Sequence, residues 1–562
     1  MGKISTPSKT NHKSISEMRK IDKALLKLSK ILSKLGKLVL IVLSFFGYVF
    51  ILIPFFIVLM SPLYMYRFVV IFLAKVFRSD LVRIVCTRDG VVGLDDVTKK
   101  CQCVLNIMLT YRGEPDMEKI RNIIQTNVID VIDKDGKSVY EKFTQYYEPW
   151  LGYSFWKNED KFNIKNHIRL CEEAEIILAG NNNNNNNNNN NESEKKFITE
   201  EELLKIMGPI STRHFPQGIS PWEILIVRNF IPSQGKIHSD FEPNIKIDGG
   251  DEKDKFAMIF RVHHALSDGY SIMKLFLTRV CNVDPNDVIQ PFVPKMSMID
   301  TVKMYLGIIL LSPYYHLKQF VIDVDRNFWH VREKQLTKDW YTIRSEKVAM
   351  SDLRKLAKFQ NVTTTAVLLA GFGSGIKTFL TETGQGGRIP SVMRALAPMP
   401  WKNHPMHGLV NHWTLGLVVL PVGAVNKFRV AEKSIQLLKR SPILFTNFGT
   451  VPLLMGPPSW LTDIWATNWM TTMILSNFPG PKFPMKSFGN NYVEDVTFWL
   501  PQMRGSSSAG VSFVSYNGGM RIAATLDKKI VPTQKQTELL SHCINQELRN
   551  LMDVALSGEN VV

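Results

Sequence analysis

Several patterns that mark common enzyme classes are missing from this sequence. It contains no Gly-rich phosphate loop, no Gly-x-Ser-x-Gly elbow and no His-Glu-x-x-His pair, so nucleotide hydrolysis, serine-hydrolase and zinc-peptidase chemistry have no support. Cysteine is scarce as well: 6 in 562 residues form no disulfide framework, and a reducing, cytosol-facing compartment fits best. Cys101 and Cys103 have no neighbouring Cys/His pair that would complete a site, so we expect no bound metal.

The positive charge of the chain is concentrated at its amino terminus. Residues 1–37 carry ten Lys and Arg against Glu17 and Asp22, a net charge of +8 out of the total of +17. This concentration favours a membrane surface over a nucleic-acid groove, and we expect no nucleic-acid partner. With 562 residues, 45% of them hydrophobic, the chain is long enough for two domains or two lobes with large cores.

The first segment, 1–37, has the pattern of a basic amphipathic helix. Ser14 and Glu17 have capping-box spacing, and apolar residues follow at steps of three and four. Such a helix lies in the headgroup region of a bilayer, and a coiled-coil segment is the alternative. The apolar positions are Met18, Ile21, Leu25, Leu28, Leu32 and Leu35.

The second segment, 38–78, is predicted to anchor the chain in a membrane. Leu38 to Met60 is a run of 23 residues without charge, enough to cross a hydrocarbon core of about 30 Å. Basic residues lie on both sides, so charge does not decide the orientation. Either one helix spans the bilayer, or Pro54 and Pro62 bend the segment into a hairpin with both ends in the cytosol.

The remainder divides into two α/β lobes. We expect a first lobe at 80–290, a linker at 291–345 and a second lobe at 346–562. The eleven asparagines at 181–191 predict a disordered surface insertion, because they cannot bury apolar area. Asn517-Gly518 between two alternating runs predicts a β-hairpin near the carboxyl end.

A double histidine carries the strongest chemical signal. "FRVHHALSDG" ends an alternating apolar run, and a helical pattern follows it, which places His263 and His264 where a strand turns into a helix. Neighbouring strand residues face opposite ways, so only one of the two is expected to meet a substrate. A neutral imidazole can act as a general base near neutral pH. Asp268 could orient an imidazole and Gly269 permits a close backbone path; a buried structural His pair with a capping Asp is the alternative.

The same stretch resembles the HHxxxDG signature of the wax ester synthase/diacylglycerol acyltransferase family, and the resemblance spans roughly residues 85–555. Val410 stands where that family usually has glycine, and Thr365 and Ala366 stand where it often has Asn-Asp. Further stretches match in order: "WKNEDKFNIKNHI" (156–168), "GISPWEILIV" (218–227), "VNHWTLGLVVLP" (410–421), "LSNFPGP" (475–481) and "SYNGGMRIAATLD" (515–527).

The resemblance implies a two-lobed fold like that of chloramphenicol acetyltransferase and a direct acyl transfer without a covalent acyl-enzyme. It gives His264 the role of general base and assigns Asp268 to structure more than to proton transfer. His263 is expected to contribute in part.

The resemblance also implies a second set of site residues. Ser476 and Asn477 lie where the second lobe of the family approaches the active site, and we expect them to donate to the developing oxyanion; a simple turn is the alternative. Pro479 and Gly480 of the same stretch, with Gly269, complete the predicted substrate-binding set. Trp222 and His167 are expected to be packing residues.

The function implied is an O-acyltransferase that esterifies a long-chain alcohol, diacylglycerol or both, to wax ester or triacylglycerol. Acyl-CoA is the co-substrate, with no resident cofactor, and the bilayer is the expected partner. The expected location is the endoplasmic reticulum membrane with the lobes facing the cytosol; the lipid droplet and the plasma membrane are alternatives. The alternative functions are a catalytically silent lipid-binding relative and an acyltransferase with another acceptor, such as an amine or a sterol.

Overall fold

The computed structural model describes residues 29, 31–91, 95–180, 197–233, 235, 254–285, 288, 297–489, 491–501 and 503–557. These residues form two mixed α/β lobes, each with its own large β-sheet, and one long amino-terminal helix. The predicted asparagine insertion at 181–191 and the predicted capping box of the amphipathic segment lie outside the described residues.

The amino-terminal helix, α1 (Ile31–Phe77), is continuous. It is the one helix in the described ranges that is long and apolar enough to cross a membrane, by length and composition. Of the two alternatives for the anchor, the membrane hairpin is wrong, because the helix runs through both prolines. A π-helical turn at Tyr48–Leu52 precedes Pro54, and Pro62 lies inside the α-helix Ile53–Phe77 without ending it.

The first lobe is built on a six-stranded sheet. The two faces of its central strand, Lys255–His263, are both covered, although the sequence predicted one buried face. Ala257 and Ile259 pack with Leu203 and Met207 of a helix on the second face, which explains the difference. In spatial order the strands are β15 (Lys486–Ser487), β16 (Asn491–Trp499), β2 (Val104–Arg112), β9 (Lys255–His263), β7 (Trp222–Val227) and β5 (Ile168–Leu170).

The second lobe is built on a seven-stranded sheet. Its order is β10 (Trp340–Arg344), β18 (Gly519–Asp527), β17 (Ala509–Tyr516), β14 (Met473–Pro479), β12 (Val392–Pro400) and β13 (Trp413–Pro421), and β11 (Val348–Ala349) pairs with β18. The β-hairpin that the sequence predicts at Asn517-Gly518 joins β17 to β18. Asn517 and Gly518 both have positive φ, 42° and 87°, as a two-residue turn of this type requires.

The sheets do not follow the predicted lobe boundaries. Strand β16 belongs to the predicted second lobe by sequence, yet it pairs with β2 of the first. Strand β10 falls in the predicted linker, yet it pairs with β18. Each strand completes the hydrogen bonds of its neighbour, and β16 thereby ties the sequence of the second lobe to the sheet of the first.

Helices cover both sheets, and two small sheets complete the fold. The small sheets are β1 (Leu81–Ile84), β4 (Tyr153–Asn158) and β3 (Gln145–Trp150), and β6 (Ile198–Thr199) with β8 (Phe230–Ile231). The helices of the first lobe and linker are α2 (Thr87–Gly90), α3 (Met117–Ile124), α4 (Ile164–His167), α5 (Glu172–Gly180), α6 (Glu200–Thr212), α7 (Gly269–Leu275) and α8 (Met298–Leu317). Those of the second are α9 (Met350–Phe359), α10 (Thr364–Glu382), α11 (Lys427–Arg440), α12 (Ile443–Leu454), α13 (Ser459–Trp465) and α14 (Gln534–Ser557).

Candidate active site

The double histidine lies where the two lobes meet. Strand β9 ends at His263, and α7 begins at Gly269 with Asp268 as its N-cap. The backbone amide of Asp268 donates to the carbonyl of Val410 from the second lobe, at 3.0 Å. The predicted sequence of strand, turn and helix is therefore present, and it is held against the opposite lobe.

An apolar cavity opens at this turn and extends into the first lobe. It encloses about 1430 Å³ of space, its open mouth included, and His264, Asp268 and Gly269 line one end of it. A largely apolar wall with a few polar groups at one end is typical of a site for a hydrophobic ligand. Wall residues from both lobes include Leu105, Phe143, Met258, Ile272, Phe478 and Val514.

The hydrogen bonds of Asn411 determine which ring nitrogen of His264 is free. The side-chain amide of Asn411 donates to Asp89 Oδ1 and to the His264 carbonyl, both at 2.9 Å, and both of those groups can only accept. Asn411 Oδ1 must then be the atom that faces His264 Nδ1, at 3.1 Å, and it accepts the Nδ1 proton. His264 Nε2 is left unprotonated, as a general base requires.

A buried ion pair holds Asn411 in this orientation. Lys142 Nζ donates to Asp89 Oδ2 at 2.8 Å and to the carbonyl of Leu266 at 3.1 Å, and both charged side chains are buried. A charge buried in this way is stable only when it is paired and hydrogen-bonded. The chain of contacts Lys142, Asp89, Asn411, His264 thus fixes the imidazole from behind.

Burial also keeps the His264 ring neutral. Desolvation lowers the pKa of His264 below its usual 6.5, and the contacts with its own backbone, Asp268 and Asn411 only partly oppose this. Near neutral pH the ring is therefore ready to accept a proton. The indole of Trp413 stands edge to face with it, with ring centroids 6.3 Å apart.

His263 faces away from this site, as strand alternation predicts. It is fully buried, and its Nε2 donates to Asp95 Oδ1 at 2.7 Å, while the backbone amide of Ala265 donates to its Nδ1 at 3.3 Å. Burial alone would raise the pKa of Asp95, but His263 and two backbone amides lower it to about 2. His263 is absent from the cavity wall among the described residues, so its position is that of a structural residue.

Asp268 connects the histidine turn to the second lobe. Its carboxylate accepts hydrogen bonds from the amides of Ser271 (2.7 Å) and His412 (2.8 Å) and from His404 Nε2 (3.0 Å). Burial would raise the pKa of Asp268, but His404 and these amides outweigh it and hold the pKa below its usual value. Lys274 Nζ donates to His404 Nδ1 at 2.8 Å, which extends the network. All of these contacts fix geometry, in agreement with the structural role that the resemblance implies.

Strand β14 divides the second predicted set of residues between two faces. Ser476 and Gly480 line the cavity, whereas Asn477 and Pro479 do not. Asn477 instead donates to Thr365 Oγ1 at 2.8 Å, on the side away from the cavity. Successive strand residues point in opposite directions, so Asn477 and Pro479 are not part of the cavity wall, and their predicted substrate contact stays a prediction.

The surroundings of the two predicted glycines, Gly480 and Gly269, differ. A Cβ on Gly480 would lie 2.2 Å from the Ser515 carbonyl, so no larger residue fits beside β17. A Cβ on Gly269 would meet nothing within 4 Å, so the predicted close backbone path is wrong there. Gly269 borders the cavity, and a side chain at that position would occupy the space where a ligand would bind.

Trp222 and His167 are buried and stack on each other with ring centroids 4.4 Å apart, which agrees with the predicted packing role, and Trp222 also contributes to the cavity wall. Asn411, Asp89, Lys142 and His404 were not predicted as functional residues, although Asn411 lies in the matched stretch 410–421. Within the described parts of the chain, no group of three or more His, Cys, Asp or Glu side chains is arranged to hold a metal ion.

Comparison with known proteins finds one matching domain family and similar solved structures. Residues 411–552 match the WS/DGAT C-terminal domain. The wax ester synthase/diacylglycerol acyltransferase from Marinobacter aquaeolei VT8 is similar in structure, with 14% identity, a TM-score of 0.50 and coverage of 84% of this chain and 100% of that one. The TRI3 trichothecene 15-O-acetyltransferase from Fusarium sporotrichioides shares 9% identity over 83% of this chain and 94% of its own, with a TM-score of 0.49.

At the sequence level, no curated protein matches the chain. The protein has the two-lobed acyltransferase fold of the Marinobacter enzyme and carries a WS/DGAT C-terminal domain, which confirms the resemblance to the wax ester synthase/diacylglycerol acyltransferase family.

Proposed function

We propose that this protein is a membrane-bound O-acyltransferase that transfers a long-chain acyl group from acyl-CoA to the hydroxyl of a long-chain alcohol or diacylglycerol. The observation that carries the proposal is the hydrogen bond between His264 Nδ1 and Asn411 Oδ1, which leaves Nε2 free for a substrate at an apolar cavity between the lobes. Each buried methylene contributes about 0.8 kcal/mol, so a sixteen-carbon chain gains on the order of 12 kcal/mol from such a cavity.

The transfer needs one base and one electrophile. The alcohol oxygen lies within reach of His264 Nε2, which takes the hydroxyl proton as the oxygen attacks the thioester carbonyl. The tetrahedral intermediate collapses, the carbon–sulfur bond breaks, and the CoA sulfur leaves with the proton returned by the imidazolium. The products are one ester and one free CoA thiol, with no acyl-enzyme and no external oxidant or reductant.

Two sets of groups assist this step. Asn411 accepts the Nδ1 proton throughout, and its hydrogen bond strengthens as the ring becomes positively charged. Ser476 is the polar side chain of β14 that lines the cavity, and we assign to it the donation of a hydrogen bond to the developing oxyanion. Asp268 holds the histidine turn against the second lobe through its hydrogen bonds with His404 and His412.

Location follows from the two substrates. Diacylglycerol and long-chain alcohols reside in bilayers, and α1 supplies an apolar segment long enough to anchor the lobes there. CoA is soluble and anionic, so the lobes face the cytosol. The endoplasmic reticulum is the membrane that we propose.

An acceptor screen tests the proposal. Purified full-length protein in detergent is incubated with labelled palmitoyl-CoA and, separately, hexadecanol, a diacylglycerol, a sterol and a long-chain amine, and the products are separated by chromatography. We expect labelled wax ester or triacylglycerol. If the amine alone is acylated, the acceptor class is wrong, and if no acceptor is labelled above the level without enzyme, the protein is a lipid-binding relative instead.

A further inference from the structure

The long helix α1 packs lengthwise against the lobes. Residues of one helical face, among them Met60, Val70 and Ala74, are buried. Polar contacts occur all along that face: the Tyr48 hydroxyl lies 3.1 Å from His316 Nδ1 of α8, and the Tyr64 hydroxyl donates to the Leu453 carbonyl of α12 at 2.9 Å. The helix is therefore held to the body over most of its length.

The length of this contact conflicts with a simple crossing of the bilayer. From Tyr48 to Ala74 the helix rises about 39 Å, which exceeds the hydrocarbon thickness of about 30 Å. A perpendicular helix would pull the parts of α8 and α12 that contact Tyr48 and Tyr64 into the hydrocarbon, together with the polar groups of these contacts. A helix that lies parallel to the membrane surface keeps these contacts and leaves the lobes in water.

The opposite face of α1 is apolar and exposed. Between Leu38 and Tyr66 it carries no charged residue, whereas Lys34, Lys37 and Lys75 flank it and can reach headgroups from either end. Its most exposed members include Leu43, Phe50, Ile51, Phe55, Val58 and Phe68.

Helix α8 continues this surface with an apolar stripe that faces outward. Val302, Leu306 and Ile309 are spaced for one helical face and are 51%, 52% and 60% exposed. The carboxyl-terminal end of α8 is fixed to the body and to α1, since His316 contacts Tyr48 and Lys37 Nζ lies 5.6 Å from the Tyr314 ring centroid. A soluble helix would turn this stripe inward, so an apolar environment must cover it.

Helix α13 supplies exposed aromatic and aliphatic residues near the carboxyl-terminal part of α1. Trp460 is 63% and Ile464 72% exposed. The turn between β3 and β4 links them to the helix: the Tyr66 hydroxyl donates to the Leu151 carbonyl, and a Cβ on Gly152 would lie 3.1 Å from Trp460 Nε1. Tryptophan is enriched where a bilayer meets water.

We propose that the outer face of α1, the stripe of α8 and the Trp460–Ile464 edge of α13 form one bilayer-docking face, in which α1 lies in the membrane plane and does not cross it. The proposal rests on the membrane attachment proposed above. The occupant is lipid because α1, to which α8 and the α13 edge are both linked by contacts, is uncharged from Leu38 to Tyr66 and flanked by lysines. Both ends of α1 are then on the same side of the membrane as the lobes.

The first test measures topology. Full-length protein with a different epitope tag at each end is placed in sealed microsomes and treated with protease without detergent. Docking in the plane predicts that both tags are cut at similar rates, or that both are protected. A protected amino-terminal tag with a cut carboxy-terminal tag, or the reverse, shows a span and overturns the proposal.

The second test maps lipid contact. A hydrophobic photoactivatable probe in phosphatidylcholine vesicles labels the full-length protein, and peptides are identified by mass spectrometry. Labelling of α8 and α13 should exceed that of the peptides with Ile132 and Val425 severalfold, although those two side chains are 66% and 88% exposed. Equal labelling, or labelling of α1 alone, contradicts the docking face.

Matched variants separate this surface from general exposure. Leu306→Glu with Ile309→Glu should reduce the labelling of α8 severalfold, whereas Ile132→Glu with Val425→Glu should leave it unchanged. Acyl transfer is measured on the same preparations. A lipid map as expected without ester formation rejects the proposed function alone, and ester formation with an unlabelled α8 rejects the docking face alone.

Discussion

Replacement of Asn411 with alanine should slow acyl transfer by about 10- to 150-fold. The Asn411 hydrogen bond to His264 Nδ1 becomes a bond to a charged ring when the imidazole takes the substrate proton, and such bonds contribute about 1.5–3 kcal/mol. At about 1.36 kcal/mol per tenfold, this range converts to the stated loss in kcat. The KM for acyl-CoA should change little, because the lost interaction strengthens only in the transition state.

The assay is steady-state ester formation by purified Asn411→Ala and wild-type protein at a temperature where thermal denaturation shows both folded. Asn477→Ala is the matched control, because Asn477 faces Thr365 and not the cavity, and its kcat should stay within about twofold. In a His264→Ala background, Asn411→Ala should cause no further loss, since the two residues act as one unit. An unchanged kcat in the single variant, or a full additive loss in the double one, refutes the reasoning.

Burial lowers the pKa of His264 in the ligand-free protein, so kcat/KM should persist below pH 6.5 and fall as the pH drops through that lowered pKa; an acid limb at or above 6.5 in a kcat/KM–pH profile would contradict this. Asp268→Ala should reduce the free energy of unfolding in urea by about 3–5 kcal/mol because it leaves its buried donors unpaired, and a loss below about 1 kcal/mol would show that they find other partners. Gly480→Ala should cost about 1–3 kcal/mol, because its Cβ would lie 2.2 Å from the Ser515 carbonyl. Gly269→Ala, with open space around its Cβ, is the matched control for thermal denaturation; equal losses would mean that the contact with Ser515 relaxes freely.

Local patterns predicted the elements around the site correctly. The alternation up to His263 and the helical spacing after Gly269 placed the double histidine at a strand-to-helix turn, and Asn517-Gly518 located the last hairpin. These features depend on residues that are close together in the chain, so they can be predicted from the sequence.

Local patterns could not predict contacts between segments that are distant in the sequence. Asn411 meets Asp89 across 322 positions and His264 across 147, and no local spacing indicates either contact. The stretch 475–481 was assigned to the site as a block, but strand alternation sends only every second residue to the cavity, so Asn477 lies outside the cavity wall.

The most direct test of the central claim is the rate of ester formation by His264→Ala protein compared with wild type. Both are assayed with labelled palmitoyl-CoA and the acceptor found in the screen, after thermal denaturation has shown that both are folded. The account predicts a loss of about 10²- to 10⁴-fold for His264→Ala, the usual contribution of a positioned general base. Equal product from the two proteins would contradict it.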